Sequence, residues 1–280
     1  MLKYIVYRRF ADNVVNSIHY FYRVYCQIGG YPDVVDEWVT SGDIELCLQL
    51  TESLLARLYR ESSRYFGEII GSGLWAHTLN QVAAHRITKS GNLDITLADE
   101  VFRSDAAKGF EVRRKDKINA LKWLEECRIV GMAYIYDTLG KVMVASNKYL
   151  FYFRDMGLLT QLARDLTSVA PSDIAGMIAE NFVYLHLRNA TDPSFSQRHV
   201  GSYRGSLGQI DFIIHNKNQR RFGLEVKHGS GSTKSGNKAL EKGEIDYLIR
   251  IQDTYGSIGE KQATIPIFML DKLQLILGMK

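Results

Sequence analysis

The chain has 280 residues, of which 46% are hydrophobic and 24% charged, a composition typical of a folded globular protein. Its net charge of +4 permits nucleic-acid binding without requiring it. The three cysteines lack a CxxC spacing, which argues against a zinc ribbon or a disulfide framework. Because there is also no signal-peptide pattern, and no apolar run of the roughly 20 residues that span a bilayer, we expect a cytoplasmic protein without membrane contact.

Residues 1–66 are predicted to be helical. Apolar residues recur at spacings of three and four in residues 13–29 and again in residues 44–66. Between these two runs, Gly29, Gly30 and Pro32 are predicted to break the helix and form a turn. This first domain contains no candidate catalytic residue.

Residues 67–165 form a second predicted domain. A short helix is expected near residues 79–83 and a stronger one in KINALKWLEECRIV, residues 117–130. The strand-like runs at residues 129–136 and 141–146 are joined by DTLG, which is a hairpin signal. Helices followed by a hairpin predict a winged-helix-like domain, a fold that docks on DNA and also serves as a protein-interaction module.

Two features of this domain allow a functional or a structural interpretation. The basic residues Arg113, Arg114 and Lys115 precede the stronger helix and are candidate nucleic-acid contacts, although such charge runs are usually solvated faces. The aromatic run within residues 149–153 is too dense for an exposed base-stacking platform, so we expect it to be core.

Residues 166–280 read as an α/β domain. A helix is predicted from Pro171 to about Leu187, with Ser172 as its N-cap. The predicted strands are QIDFIIH, RFGLEVK and IPIFML, with a turn at residues 216–219 between the first two. A helix, ALEKGEIDYLIRI, is predicted between the second and third.

Four residues of this domain form the candidate catalytic site. Asp211 lies in an apolar strand, where a carboxylate is costly unless it is paired or bound to a metal. Glu225 and Lys227 alternate with Val226 on the next strand and therefore share one face. Glu180 lies on the helix before them. Each residue alone has an ordinary structural explanation, but the ordered set of four is more specific.

The chemistry that fits this set is metal-dependent phosphodiester hydrolysis. Mg²⁺ or Mn²⁺ polarises a phosphate and lowers the pKa of attacking water, and Mg²⁺ takes one or two protein carboxylates. We expect Asp211, Glu225 and Glu180 to bind the metal and Lys227 to orient the water or neutralise charge on the phosphate. Lys234 and Lys238 are candidate phosphate contacts beside the site.

A nucleotide-binding loop is not predicted. The segment from Gly231 to Lys238, GSTKSGNK, lies between a strand and a helix, as a phosphate-binding loop does. That motif requires lysine directly after the second glycine, whereas Asn237 follows Gly236. We therefore expect no ATPase site in this chain.

Five segments together resemble the C-terminal half of bacterial and archaeal AAA+-type ATP-binding proteins that end in a PD-(D/E)XK domain of unknown function. The segments are GGYPDVV at 29–35, LFYFRDMGLL at 150–159, GMIAENFVYLHL at 176–187, SYRGSLGQIDFII at 202–214 and LEVKHG at 224–229. The resemblance implies a lid-like helical segment, a winged-helix connector and a restriction-endonuclease-like last domain with a mixed sheet.

The same resemblance assigns Glu180, Asp211, Glu225 and Lys227 to the PD-(D/E)XK positions. The chain departs from the family at Gln209, where a glutamate is usual, and in lacking the ATPase core, so a fragment and a split relative are both open. Two functions follow. One is a nucleic-acid-associated, Mg²⁺-dependent nuclease. The other is a non-catalytic interaction or regulatory module that works with an ATPase domain or partner protein.

Overall fold

The computed structural model describes residues 12–66, 93–94, 114–136, 148–164, 170–190, 200–205, 208–216, 218, 220–227, 234–253, 256–273 and 277. These residues fall into two compact units. The first, here called the helical unit, draws on Phe21–Met132 and Asn147–Ile174. The second, the sheet unit, draws on Met1–Tyr20, Ala133–Ser146 and Ala175–Lys280. No helix in the described part of the chain is long and apolar enough to cross a membrane.

The described residues begin with three helices: α1, Asp12–Ile28; α2, Pro32–Ser41; and α3, Ile44–Phe66. The helical prediction is therefore confirmed from residue 12 onward, and residues 1–11 lie outside the described part. In the helical unit, apolar side chains of all three helices form one buried cluster, which contains Val24, Ile28, Val34 and Cys47.

The predicted turn between α1 and α2 is confirmed, and a distant carboxylate holds it. Gly29 has a φ of 75°, which favours glycine, and Pro32 is the first residue of α2. The Asp155 carboxylate accepts the Gly30 N–H at 2.7 Å and the Leu158 N–H at 3.0 Å. Asp155 thereby joins this turn to the start of helix α5, Met156–Arg164.

The described residues before residue 164 also form β1, Leu93–Asp94; α4, Arg114–Glu126; β2, Val130–Tyr136; and β3, Lys148–Phe153. The α4 and β2 predictions are confirmed. The predicted helix near residues 79–83, the DTLG turn and the second hairpin strand lie outside the described residues, so the winged helix stays a prediction. The aromatic residues at positions 151–153 are buried, as predicted.

The sheet unit contains a six-stranded mixed sheet. Its strands are β4, Val200–Gly205; β5, Gly208–His215; β6, Arg221–Lys227; β7, Tyr247–Gln252; β8, Ser257–Ile258; and β9, Gln262–Pro266. Their order is β4-β5-β6-β7-β9-β8. Strands β6, β7 and β9 run parallel, and the other neighbouring pairs are antiparallel. The last three residues of β2 pair in parallel with β4.

Two helices position the site. Helix α6 is Pro171–Ala190, and helix α7, Lys234–Glu241, packs its Ala239 into a cluster with Ile210, Ile213 and Leu248. Helix α7 therefore covers one face of the sheet at β5 and β7.

Several predictions for this domain were wrong in detail. Helix α6 begins at Pro171, and the Ala170 carbonyl accepts the first amide bonds, so Ser172 lies inside the helix and is not its N-cap. The predicted helix at residues 239–251 is the end of α7 followed by strand β7. In IPIFML, only Ile265 and Pro266 belong to a strand, because a 3₁₀ helix begins at Ile267. Strand β4 was not predicted. The turn after Asn216 is confirmed, since its Oδ1 accepts the Asn218 and Arg220 amides.

Candidate functional site

The antiparallel pairing of β5 with β6 ends at an aspartate. The paired residues run from His215 with Arg221 to Phe212 with Leu224, and Asp211 is the next residue of β5. There the Asp211 Oδ2 accepts the Val226 N–H at 2.8 Å. The Asp211 carboxylate therefore accepts a β6 main-chain amide just beyond the last residue pair of the two strands.

A bulge in β5 lies at the same place. Where β4 advances two residues, from Gly201 to Tyr203, the paired residues on β5 run three, from Ile213 to Ile210. The extra residue falls within Asp211 and Phe212. Bulges bend a strand and re-aim side chains, and this one lets Ile210 and Ile213 join the same core cluster although they are three residues apart.

Glu225 is the most deeply buried charged residue of the site, with 1% of its surface exposed. Its Oε1 accepts the Gly236 N–H, in the first turn of α7, at 2.6 Å. A carboxylate is favoured at a helix N-terminus because the unpaired amides carry partial positive charge. Its Oε2 is buried and has no hydrogen-bond partner among the described residues.

Lys227 supplies the nearest positive charge. It lies two residues beyond Glu225 on β6, so both side chains point to the same face. Its Nζ is 3.4 Å from the Glu225 Oε2, and 23% of the lysine side chain is exposed. This distance makes an ion pair, but its geometry does not satisfy the buried oxygen as a hydrogen bond. The Lys227 side chain is therefore partly exposed to solvent while its ammonium pairs with the buried Glu225 carboxylate.

The charge balance around Asp211 is unfavourable. Burial and the nearby Glu180 carboxylate raise the pKa of Asp211 to about 7, Glu225 adds to this, and Lys227 and the Val226 N–H oppose it. Gln209 also donates a hydrogen bond from its Nε2 to the Asp211 Oδ1 at 3.2 Å. The site therefore concentrates more negative charge than its own positive groups compensate.

All four predicted catalytic residues are thus brought into one place, with Glu180 joined to the others by its electrostatic effect on Asp211. Across the described residues, no three His, Cys, Asp or Glu side chains converge as a ready ligand set, so the three-carboxylate metal site stays a prediction. The residues do fit a cation held by two carboxylates, because the buried Glu225 Oε2 makes an ion pair with Lys227 but accepts no hydrogen bond from the described residues.

The predicted nucleic-acid contacts fall in both units. Lys234 and Lys238 are exposed on α7, which begins at the site. Arg114 and Lys115 are the first residues of α4 in the helical unit, and Arg113 lies outside the described residues.

Two residues near the site were missed at the sequence level. Gly236 was considered only as part of a possible nucleotide-binding loop, although a Cβ there would lie 2.7 Å from the Glu225 Oε1. Arg250 pairs in register with Glu225 on the neighbouring strand β7. It was hidden because that segment was taken for a helix.

Comparison with known proteins gives two family matches. The model of a family described as Domain of unknown function (DUF8612) matches residues 20–169, more than half of the chain. The model of a second, described as Domain of unknown function (DUF4143), matches residues 175–267 and includes all four candidate catalytic residues. No curated protein and no solved structure matches the chain.

Proposed function

The chain belongs to the family described as Domain of unknown function (DUF8612), and we propose that its sheet unit is a restriction-endonuclease-like domain that hydrolyses nucleic-acid phosphodiester bonds with Mg²⁺ or Mn²⁺. The observation that carries this proposal is the juxtaposition of two buried carboxylates, Asp211 and Glu225, on adjacent strands. Asp211 has a pKa raised to about 7, and Glu225 has a buried oxygen that accepts no hydrogen bond within the described part of the chain.

A divalent cation would relieve both features. Burying carboxylates side by side is costly because their charges repel and their hydration is lost. Asp211 and Glu225 would hold the cation, and Glu180 would complete its shell or orient Lys227. Bound there, the cation would polarise the phosphate and lower the pKa of water.

The protein's own groups account for the remaining roles. Lys227 ends beside the Glu225 Oε2, where its ammonium would hold the attacking water or a phosphate oxygen. Gln209 and the Val226 N–H would fix the orientation of Asp211. Gly236 would fix Glu225 in the same way through its amide.

Cleavage assays test the proposal. Plasmid and single-stranded DNA would be incubated with Mg²⁺ or Mn²⁺ and wild-type protein or the Lys227→Ala variant. We expect metal-dependent cleavage that falls at least about 100-fold in the variant, since positioned charge contributes that much in comparable sites. Equal cleavage by both proteins would mean a contaminating nuclease and would remove the support for Lys227.

A second function is favoured by one specific observation. Both oxygens of Asp211 and one oxygen of Glu225 already accept hydrogen bonds from the protein. The carboxylates would then serve only to hold β5, β6 and α7 together, and the chain would be a non-catalytic interaction or regulatory module working with an ATPase domain or another protein. Metal binding that is absent in wild-type protein would favour this alternative.

A further inference from the structure

A row of polar residues crosses the sheet next to the candidate site. Strand register aligns Glu225 with Arg250 on β7 and Arg250 with Thr264 on β9. Asp211 lies at the bulge of β5 and contacts β6 through the Val226 N–H, next to Glu225. Residues aligned across neighbouring strands have their side chains on one face, so the acidic position on β6 is followed by a basic one on β7.

Arg250 is a partly buried cation whose described partners are all neutral. Its Nη2 donates to the Asn237 Oδ1 at 3.0 Å and to the Gln262 Oε1 at 3.2 Å. Its Nε is buried and has no hydrogen-bond partner among the described residues. By contrast, Arg221 at the other end of β6 pairs with the Asp246 carboxylate at 3.0 Å.

A partly buried guanidinium with only neutral partners favours the binding of an anion. Its planar donors match the oxygens of a phosphate, and a buried donor left without an acceptor is unfavourable. The partial positive charge at the start of α7 is already directed at Glu225 through the Gly236 amide. Arg250, and not the helix N-terminus, would therefore bind the anion.

The position of Arg250 near the two carboxylates suits a phosphate group of a nucleic acid. Neighbouring strands are about 4.8 Å apart, so Arg250 is one strand from Glu225 and two from Asp211. Asn237, which orients Arg250, lies on α7 between the exposed Lys234 and Lys238. A nucleic-acid strand whose scissile phosphate lies at Asp211 and Glu225 would bring a neighbouring phosphate toward Arg250 and the two exposed lysines.

We propose that Arg250 binds a phosphodiester adjacent to the one held at Asp211 and Glu225, so that a single nucleic-acid strand passes the start of helix α7 from the carboxylates toward Arg250 on β7. This inference rests on the proposed function. It adds a substrate-binding residue and a direction for the bound strand.

The test measures how salt affects binding of a labelled single-stranded DNA, with Ca²⁺ replacing Mg²⁺ to prevent cleavage. Losing one phosphate contact lowers the slope of log affinity against log salt by about 0.7 for a single strand. We expect that decrease in Arg250→Gln. The wild-type slope should be retained in Arg250→Lys, which keeps the charge, and in the control Arg57→Gln, an exposed arginine of α3. Thermal melting identifies any variant that fails to fold.

The outcomes separate this inference from the proposed function. An unchanged slope in folded Arg250→Gln, or an equal decrease in Arg57→Gln, would overturn the inference even if Mn²⁺ binds normally at the carboxylates. DNA binding that depends on Arg250 without any Mn²⁺ binding would keep the phosphate contact and overturn the metal site. If inorganic phosphate displaced DNA equally well from wild type and from Arg250→Gln, the phosphate would bind at a residue other than Arg250. No DNA binding by wild type would overturn both this inference and the proposed function.

Discussion

Glu225 and Gly236 approach so closely that no other residue fits at the glycine position without movement. The Gly236 N–H donates to the Glu225 Oε1 at 2.6 Å, and a Cβ on Gly236 would lie 2.7 Å from that oxygen and 2.6 Å from the Leu248 Cδ1. The first turn of α7 is therefore seated directly on the buried carboxylate. This contact links the packing of the sheet unit to the geometry of its candidate site.

The Gly236→Ala substitution tests that contact. Overpacking of a buried position costs about 1–3 kcal/mol, and the better helix propensity of alanine offsets at most about 1 kcal/mol. We expect a lower free energy of unfolding in urea and weaker Mn²⁺ binding. The control is Gly176→Ala in α6, where a Cβ would meet nothing within 4 Å and stability should rise or stay constant. A Gly236→Ala protein as stable as wild type would contradict the close approach.

The raised pKa of Asp211 predicts a pH-dependent stability in the absence of metal. Between its ordinary pKa of about 4 and its folded value of about 7, the folded protein binds the proton more tightly than the unfolded chain. The free energy of unfolding must then fall as pH rises through that window. The Asp211→Asn variant lacks this titration and should lose less stability from pH 4 to pH 7. Urea unfolding in EDTA measures both proteins, and parallel pH profiles would argue against the raised pKa.

Gln209 limits the negative charge of the site. The Gln209→Glu substitution replaces the amide that donates to the Asp211 Oδ1 with a fourth carboxylate beside Glu180, Asp211 and Glu225. We expect a lower free energy of unfolding without metal, because like charges repel, and roughly tenfold tighter Mn²⁺ binding, equivalent to about 1.4 kcal/mol. Calorimetry and urea unfolding measure the two effects. If affinity and stability fell together, the added carboxylate would not face a cation.

Asp155 is expected to be a major source of stability in the helical unit. Its buried carboxylate accepts the Gly30 and Leu158 amides, so Asp155→Ala would leave two polar groups without their partner, at roughly 1–3 kcal/mol each. Asp43 accepts the Glu45 and Leu46 amides at the exposed start of α3, and Asp43→Ala should cost only about 1 kcal/mol. Equal losses in urea unfolding would show that burial of Asp155 adds nothing.

Local pattern was sufficient to predict part of the site. Strand alternation put Glu225 and Lys227 on one face, and an aspartate in an apolar run indicated that Asp211 has a special environment. The contact between Gly236 and Glu225 could not be predicted in this way, because it joins a strand to a helix that packs on it from later in the chain. The role of Gln209 toward Asp211 also required coordinates, since a bulge changes the facing of residues in β5.

The error at residues 239–251 has a clear physical cause. Ile245, Leu248 and Ile249 follow spacings of three and four that suit a helix, but Gly243 has a φ of 66° and its amide bonds back to the Leu240 carbonyl. That is a helix C-terminus of the kind glycine often forms. Strand β7 then begins at Tyr247. Treating Gly243 as a terminator would have placed Arg250 on a strand beside Glu225.

Calorimetric titration of Mn²⁺ into wild-type protein, Asp211→Asn and Glu225→Gln tests the central claim most directly. Each substitution keeps the shape of the side chain and removes one charge from the buried pair. The account predicts one saturable site in wild type and at least about tenfold weaker binding in either variant, equivalent to about 1.4 kcal/mol. No binding to wild type, or equal affinity in all three proteins, would contradict a cation site at Asp211 and Glu225.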